Sequence, residues 1–199
     1  MIKNIIFDMG NVLLTFDPDY IVRSILGVSS VDEELVRCTM GVPEWKELDN
    51  GAITEQEALA SMIERAPKYQ REIERIMEHW HEYMIPIDGM LELVMELKQK
   101  GYGLHLLSNA SLRFYEYSGR HPVFGLMDSL NISARMKLLK PQREIYEAVL
   151  NNRRLIAREC LFIDDLPQNV EGARRAGIDA YQFVGVNALK DYLRQRDIL

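Results

Sequence analysis

The sequence predicts an α/β fold: a five-stranded parallel sheet covered by helices on both faces, with a helical insertion after the first strand. Three observations carry this prediction. Short apolar runs stand at residues 5–7, 104–107, 130–132, 161–163 and 181–184, most too short for helices and bounded by Gly, Asn or Asp. Helical patterns lie between most of them, and strands alternating with helices build parallel sheets buried on both faces. Between residues 17 and 86 the rhythm stops, with several helical stretches and no convincing strand.

Taken in order, the run at 5–7 ends in Asp8, with Gly10 and Asn11 after it. The insertion reads as helices over roughly 19–26, 31–40, 54–65 and 69–84. Thr54 and Glu57 have capping-box spacing, and Asn50-Gly51 is a strong turn. From Met90, Leu91, Val94 and Leu97 form an apolar helix face that Gly101 terminates. After Pro141, residues Ile145, Tyr146, Val149 and Leu150 repeat that pattern. A further helix opens at Pro167, turns Val170 and Ala173 inward, and ends by Gly177. The expected division is a sheet domain of residues 1–16 and 87–199 and a helical unit of residues 17–86.

The composition is that of an ordinary globular chain: 199 residues, 47% hydrophobic and 27% charged. A net charge of −6 offers no general attraction to nucleic acid or an anionic membrane. Any phosphate must therefore be held locally, by a metal ion, a lysine or oriented backbone amides. Cys38 and Cys160 are unclustered, which fits a reducing compartment, and Cys160 reads as core. Asp8 interrupts the N-terminal apolar run too early for a signal peptide, and no stretch is long enough for a membrane helix. The expected location is the cytoplasm. The oligomeric state is left open.

Polar residues cluster where the strand-like runs end. Asp8 follows the first, Ser108-Asn109 the second, and Asp164-Asp165 the fourth, while Lys140-Pro141 opens the helix before the fourth. The carboxyl ends of strands in one parallel sheet converge in space, which is where such sheets bind ligands. Three neighbouring carboxylates repel each other unless a cation joins them or some protonate. A hard divalent ion with oxygen ligands answers that, and one bridging carboxylate and phosphate suits Mg²⁺. Asp8 is then placed to attack a metal-aligned phosphoryl group, with Lys140 neutralising shared charge and Ser108 and Asn109 donating to phosphate oxygens. Each element alone has a bland reading as cap, turn or solvated residue; their joint appearance in this order carries the assignment.

The motifs Ile-Ile-Phe-Asp8-Met-Gly10-Asn11-Val-Leu, Leu-Leu-Ser108-Asn109, Lys140-Pro141 and Phe-Ile-Asp164-Asp165-Leu-Pro-Gln-Asn169 together resemble the haloacid dehalogenase-like superfamily. The resemblance spans essentially the whole chain. It implies a Rossmann-like doubly wound sheet of order 5-4-1-2-3, and it makes the helical insertion a small cap of the C1 type. It further implies Mg²⁺ bound by Asp8, the backbone carbonyl of Gly10 and Asp165, with Asp164 behind the ion or reaching it through water. Asn11 and Asn169 match family positions that orient the site, and Asn11 is grouped with Ser108 and Asn109 as a substrate contact.

One departure matters. Most family phosphatases carry a second aspartate two residues after the nucleophile as general acid and base, and here that residue is Gly10. Losing such help costs on the order of 10²–10⁴ in rate. Turnover then requires a good leaving group, a substitute such as a cap residue or water, or both. The Phe-Asp-x-Gly-Asn-Val form is similar to a branch that includes α-D-glucose-1-phosphate phosphatases, where the anomeric oxygen leaves readily. The expected function is a Mg²⁺-dependent phosphatase acting on a small phosphorylated metabolite through an aspartyl-phosphate, with a sugar 1-phosphate as the specific expectation. The alternatives are a 2-haloacid dehalogenase, a phosphomutase, and a metabolite-binding module without turnover.

Other residues carry less. Asp17 and Asp19 read as turn residues, and His79 and His81 fall on different sides of a helix, without metal-pair spacing. His105 reads as a packed strand histidine, and the arginines over 143–158 as a solvated face. Trp45, Lys46, Glu47 and Asn50 lie near the insertion's turn, where they can read a substrate or, for Trp45, fill its core.

Overall fold

The computed structural model describes residues 1–199. Its sheet has five parallel strands: β1 (Asn4–Phe7), β2 (Gly103–Ser108), β3 (Ser129–Ile132), β4 (Cys160–Asp164) and β5 (Asp179–Gln182). They lie in the order β3-β2-β1-β4-β5, the expected order read from the other edge. β1 is central, with Phe7 opposite Leu106 on one side and Ile163 on the other. The chain builds outward from β1 to β3, then crosses to β4. This makes the β1–β4 boundary the topological switch point where such sheets open a crevice.

Both faces of the sheet are covered, so alternate residues of β1 enter different cores. Ile5 and Phe7 join the larger cluster, and Ile6 the smaller one. Between β1 and β2 lie α1 (Pro18–Leu26), α2 (Glu33–Thr39), α3 (Pro43–Asp49), α4 (Glu55–Arg65), α5 (Gln70–His79) and α6 (Met90–Gln99). The short helices α7 (Phe114–Tyr117), α8 (Pro122–Gly125) and α9 (Ser133–Met136) follow β2 and β3. α10 (Arg143–Arg153), α11 (Pro167–Arg175) and α12 (Val186–Gln195) complete the layers. Ile145, Tyr146, Val149, Val170 and Ala173 pack α10 and α11 on the Ile6 face. Leu93, Val94 and Leu97 of α6, with Leu189 and Leu193 of α12, pack on the other.

The insertion leaves and returns through a narrow stem. Leu14 bridges antiparallel to Pro86, Thr15 N–H donates to Ile85 O at 2.8 Å, and Ile87 N–H donates to Leu13 O at 3.0 Å. The capping box opens α4, with Thr54 and Glu57 satisfying each other's backbone donors. Asp17 caps α1 by accepting from Tyr20 N–H at 3.1 Å, which is the turn role expected for it. The segment expected as one helix over 69–84 is α5 followed by a tight 3₁₀ turn, Trp80–Tyr83.

Glu44 on α3 is buried in the insertion, where Ser61 Oγ donates to it at 2.5 Å and Arg65 donates from both terminal nitrogens. The Arg65 hydrogen bonds hold its carboxyl down at about 2, against a smaller upward push from burial. A depressed folded pKa contributes stability that is present above the ordinary value of 4.5 and is lost as pH falls toward about 2. Thermal melts between those limits should therefore show a steep acid fall for the wild type. Glu44→Gln should give a lower Tm at neutral pH and a flatter acid fall. Parallel slopes for the two proteins would contradict that role.

Candidate active site

Parallel register brings the expected residues together. Asp8 and Asp164 end adjacent strands, with Asp8 N–H donating to Ile163 O at 2.9 Å. Lys140, 24 residues before Asp164, enters between them, its Nζ 2.7 Å from Asp8 Oδ1 and 2.7 Å from Asp164 Oδ2. All three side chains are buried. Asp8, Asp164 and Asp165 each offer a carboxylate oxygen within 4.8 Å of the others. Asp8, Gly10, Asn11, Ser108, Asn109, Lys140, Asp165 and Asn169 all line one cavity of about 320 Å³.

The electrostatics follow from burial. Burial pushes the Asp8 carboxyl up, to about 7, against the pull of Lys140 and with Asp164 adding to the rise. Asp165 is also raised, by burial first and then by Asp164. Burial pulls Lys140 down, but the Asp8 and Asp164 carboxylates outweigh it and hold its pKa above the ordinary lysine value. One ammonium faces three carboxylates, so the cluster is short of positive charge.

Asp164 and Asp165 are used differently. Asp164 is closed off: it accepts from Lys140, from Leu166 N–H at 2.9 Å, and from Asn169 Nδ2 at 3.0 and 3.1 Å. Tyr146 in turn donates to Asn169 O at 2.8 Å, fixing that asparagine from behind. Asp165 keeps its carboxylate toward the cavity. Hard oxygen donors around a deficit of positive charge match what a small divalent cation requires.

Asn109 occupies its place with a more specific role than the sequence indicates. Its Oδ1 accepts from Lys140 N–H at 2.9 Å and its Nδ2 donates to Lys140 O at 3.0 Å, so its amide grips the lysine's main chain. What it leaves for an anion is its backbone N–H, which, like that of Gly10, has no acceptor within the chain. Asn11 has a positive φ of 54°, and its Oδ1 accepts from Phe16 N–H at 2.9 Å, closing the turn at the base of the stem. Ser108 is buried at the strand end with its hydroxyl only weakly directed to Asn109 O, at 3.5 Å.

The insertion and its stem supply the far wall of the cavity, through Phe16 in the stem and Trp45, Asp49, Trp80 and Met84 in the insertion. The Trp45 and Trp80 rings meet edge-on at 5.2 Å, and Phe16 lies 5.9 Å from Trp45. Of the insertion residues singled out from sequence, Trp45 lines the cavity; Lys46, Glu47 and Asn50 do not. His81 is buried and stacked on Tyr117, whereas His79 is half-buried beside Glu78 and Glu82. His105 is a buried strand residue bonded to Ser129 Oγ at 2.8 Å.

Asp49, the last residue of α3, is the site residue the sequence did not disclose. Its carboxyl makes no hydrogen bond within the chain, and burial pushes it up to about 7, with Lys140 opposing and Asp8 adding to the rise. A helix ending at Asp49 had no apolar pattern to announce it, since only Glu44 and Leu48 of α3 are buried. The one available signal was Pro43, a good first-turn residue.

The haloacid dehalogenase-like hydrolase family model matches residues 5–183, which takes in every residue of this constellation. The chain belongs to that family. Among curated relatives, it is 26% identical to a D-ribitol-5-phosphate phosphatase of Bacteroides thetaiotaomicron over 92% of each chain. It is 27% identical to the sesquiterpene phosphatase astK of Aspergillus oryzae, over 88% of this chain and 87% of that one. Among solved structures, a HAD family enzyme of Bacteroides thetaiotaomicron in complex with magnesium and inorganic phosphate superposes with a TM-score of 0.71. It is 24% identical, covering 92% of this chain and 94% of its own. This HAD-family hydrolase therefore has phosphatases among its relatives on a shared fold.

Proposed function

We propose that this HAD-family hydrolase is a Mg²⁺-dependent phosphomonoesterase of small phosphorylated metabolites that works through an aspartyl-phosphate on Asp8. The observation that carries the reading is the Asp8 carboxylate at the end of β1. It is held 2.7 Å from Lys140, opens into the cavity, and has Asp165 as its carboxylate neighbour in the cavity lining. Asp8, the Gly10 carbonyl and Asp165 would hold Mg²⁺. Asp164, saturated by Lys140, Leu166 and Asn169, would set the lysine and reach the ion at most through water. Bound there, Mg²⁺ supplies charge neutralisation and in-line alignment of the phosphoryl group.

The remaining steps belong to the chain. An Asp8 oxygen attacks phosphorus and the substrate P–O bond breaks. Lys140 carries part of the charge shared by Asp8 and the phosphoryl oxygens, and its position is enforced by the Asn109 amide and Asp164. The Ser108 hydroxyl and the N–H groups of Gly10 and Asn109 face the phosphoryl oxygens, and Asn11 lines the approach. Water then hydrolyses the aspartyl-phosphate and restores Asp8. Residues 17–86 act as a cap whose Trp45 and Trp80, with Phe16 just before them in the stem, exclude water and pack against the organic part of the substrate.

A sugar phosphate suits those aromatic walls. A sugar 1-phosphate also has the leaving group best able to depart from a site with Gly10 in the usual acid position. The three-carboxylate cluster speaks against halide displacement, because it would repel the departing anion. The buried, unpaired Cys38 and Cys160 support a cytoplasmic location, and no helix is long and apolar enough to cross a membrane.

The test is phosphate release from a panel of sugar 1-phosphates, sugar 5- and 6-phosphates and alditol phosphates, with Mg²⁺ or after EDTA. Release that needs Mg²⁺ and falls to background in EDTA is expected, with sugar 1-phosphates turned over best. Release indifferent to EDTA would overturn the metal assignment. A preference for primary alcohol phosphates would remove the anomeric one.

A further inference from the structure

We propose that Asp49 is the proton donor and acceptor of the reaction at Asp8, supplied by the helical insertion in place of the carboxylate that Gly10 lacks. Asp49 and Asp8 line the same cavity from opposite walls, the insertion and the end of β1. Asp8 attacks from the sheet side, so a leaving oxygen departs toward the insertion, where Asp49 is the acidic residue of the lining. No group of the chain donates to its carboxyl, which leaves that carboxyl for a bound molecule.

Its placement is firm although it sits on an insertion. Ser133 Oγ donates to Asp49 O at 2.5 Å and accepts from Ala110 N–H at 2.9 Å, tying the end of α3 to the segment that follows Ser108 and Asn109. Two further contacts hold the same edge: Lys137 donates to Gly51 O, and the Arg113–Glu55 ion pair joins α4 to the sheet domain. The C-terminal end of a helix disfavours a carboxylate and favours the carboxylic acid. The groups facing Asp49 are Asp8, Lys140 and Tyr117.

The step balances without a further reagent. As the Asp8–phosphorus bond forms and the substrate P–O bond breaks, the leaving oxygen takes the Asp49 proton. The resulting Asp49 carboxylate then takes a proton from the water that attacks the aspartyl-phosphate. Phosphate leaves, Asp8 is freed and the Asp49 acid is regenerated.

The inference rests on the phosphomonoesterase reading, and leaving-group dependence separates the two. kcat/KM, which reports events up to departure of the leaving group, is compared for a sugar 6-phosphate and for 4-nitrophenyl phosphate. The proteins are wild type, Asp49→Asn and Asp49→Ser. The 4-nitrophenolate leaves without a proton, whereas a primary alkoxide does not. For both variants the sugar 6-phosphate value should fall on the order of 10²–10⁴-fold while the aryl value stays within about threefold. Equal losses on both substrates, or an unchanged sugar 6-phosphate value, would overturn the assignment. Aryl phosphate turnover that survives Asp8→Asn would mark the failure of the underlying reading instead, and the inference would fall with it.

Discussion

Asp8→Asn is expected to lower kcat/KM for an activated aryl phosphate by about 10⁴–10⁶-fold, the range seen when an enzyme loses its covalent nucleophile. The substitution keeps the shape of the side chain and its position at the end of β1. What it removes is the charged oxygen that must attack phosphorus. The fold should not suffer. The Asp8 carboxyl is buried with its pKa pushed to about 7, so its ionised form is costly in the metal-free folded state even beside Lys140. The variant should melt no lower than the wild type in metal-free buffer at pH 8, and Mg²⁺ should stabilise it less. A destabilised Asp8→Asn protein, or one retaining a tenth of wild-type activity, would contradict this account.

Lys140→Met has the largest expected effect on stability. Lys140 is buried and bridges Asp8 and Asp164 at 2.7 Å each, with its ammonium 5.4 Å from the Phe162 ring centre. Methionine fills the space but leaves the carboxylates uncompensated, and removing one partner of a buried ion pair costs about 3–5 kcal/mol. The sign of the pH dependence is fixed by the same argument. Without the ammonium, Asp8 is raised further above its unfolded value of 3.8. A carboxyl raised on folding binds more protons folded than unfolded, so stability falls as pH rises from about 4 through the folded pKa. Lys140→Met should therefore be least stable relative to wild type at pH 8, and should recover toward pH 5. Activity should be lost at both values. A melting difference independent of pH would show that Lys140 acts through packing alone.

The residues legible in the sequence were those whose local pattern and chemistry coincide. Central strands of a parallel sheet are continuous apolar runs, so β1 and β4 announced themselves, and Asp8 and Asp164 stand out as the polar residues that end them. β5 was harder, because an edge strand need not be apolar throughout. The apolar stretch at 181–184 runs past the paired residues Asp179–Gln182, which include Asp179 opposite Leu161. α3 hid for a different reason: its buried Glu44 is satisfied by Arg65 from α4, a pairing across 21 residues that breaks the apolar pattern. With α3 unread, Asp49 at its end was unread too. Asn109 shows the same limit, since its grip on the Lys140 backbone spans 31 residues and leaves no local trace. Pattern reveals which residues end a strand; the partners that hold them come from tertiary register.

The most direct test of the central claim is a single-turnover experiment with phosphoryl-labelled substrate and excess enzyme in Mg²⁺. The reaction is quenched in acid within the first turnover, and the protein is digested and mapped. The account predicts transient label on the peptide that contains Asp8, decaying as inorganic phosphate appears and absent from Asp8→Asn. Phosphate released at the wild-type rate with no label ever carried by that peptide would contradict it.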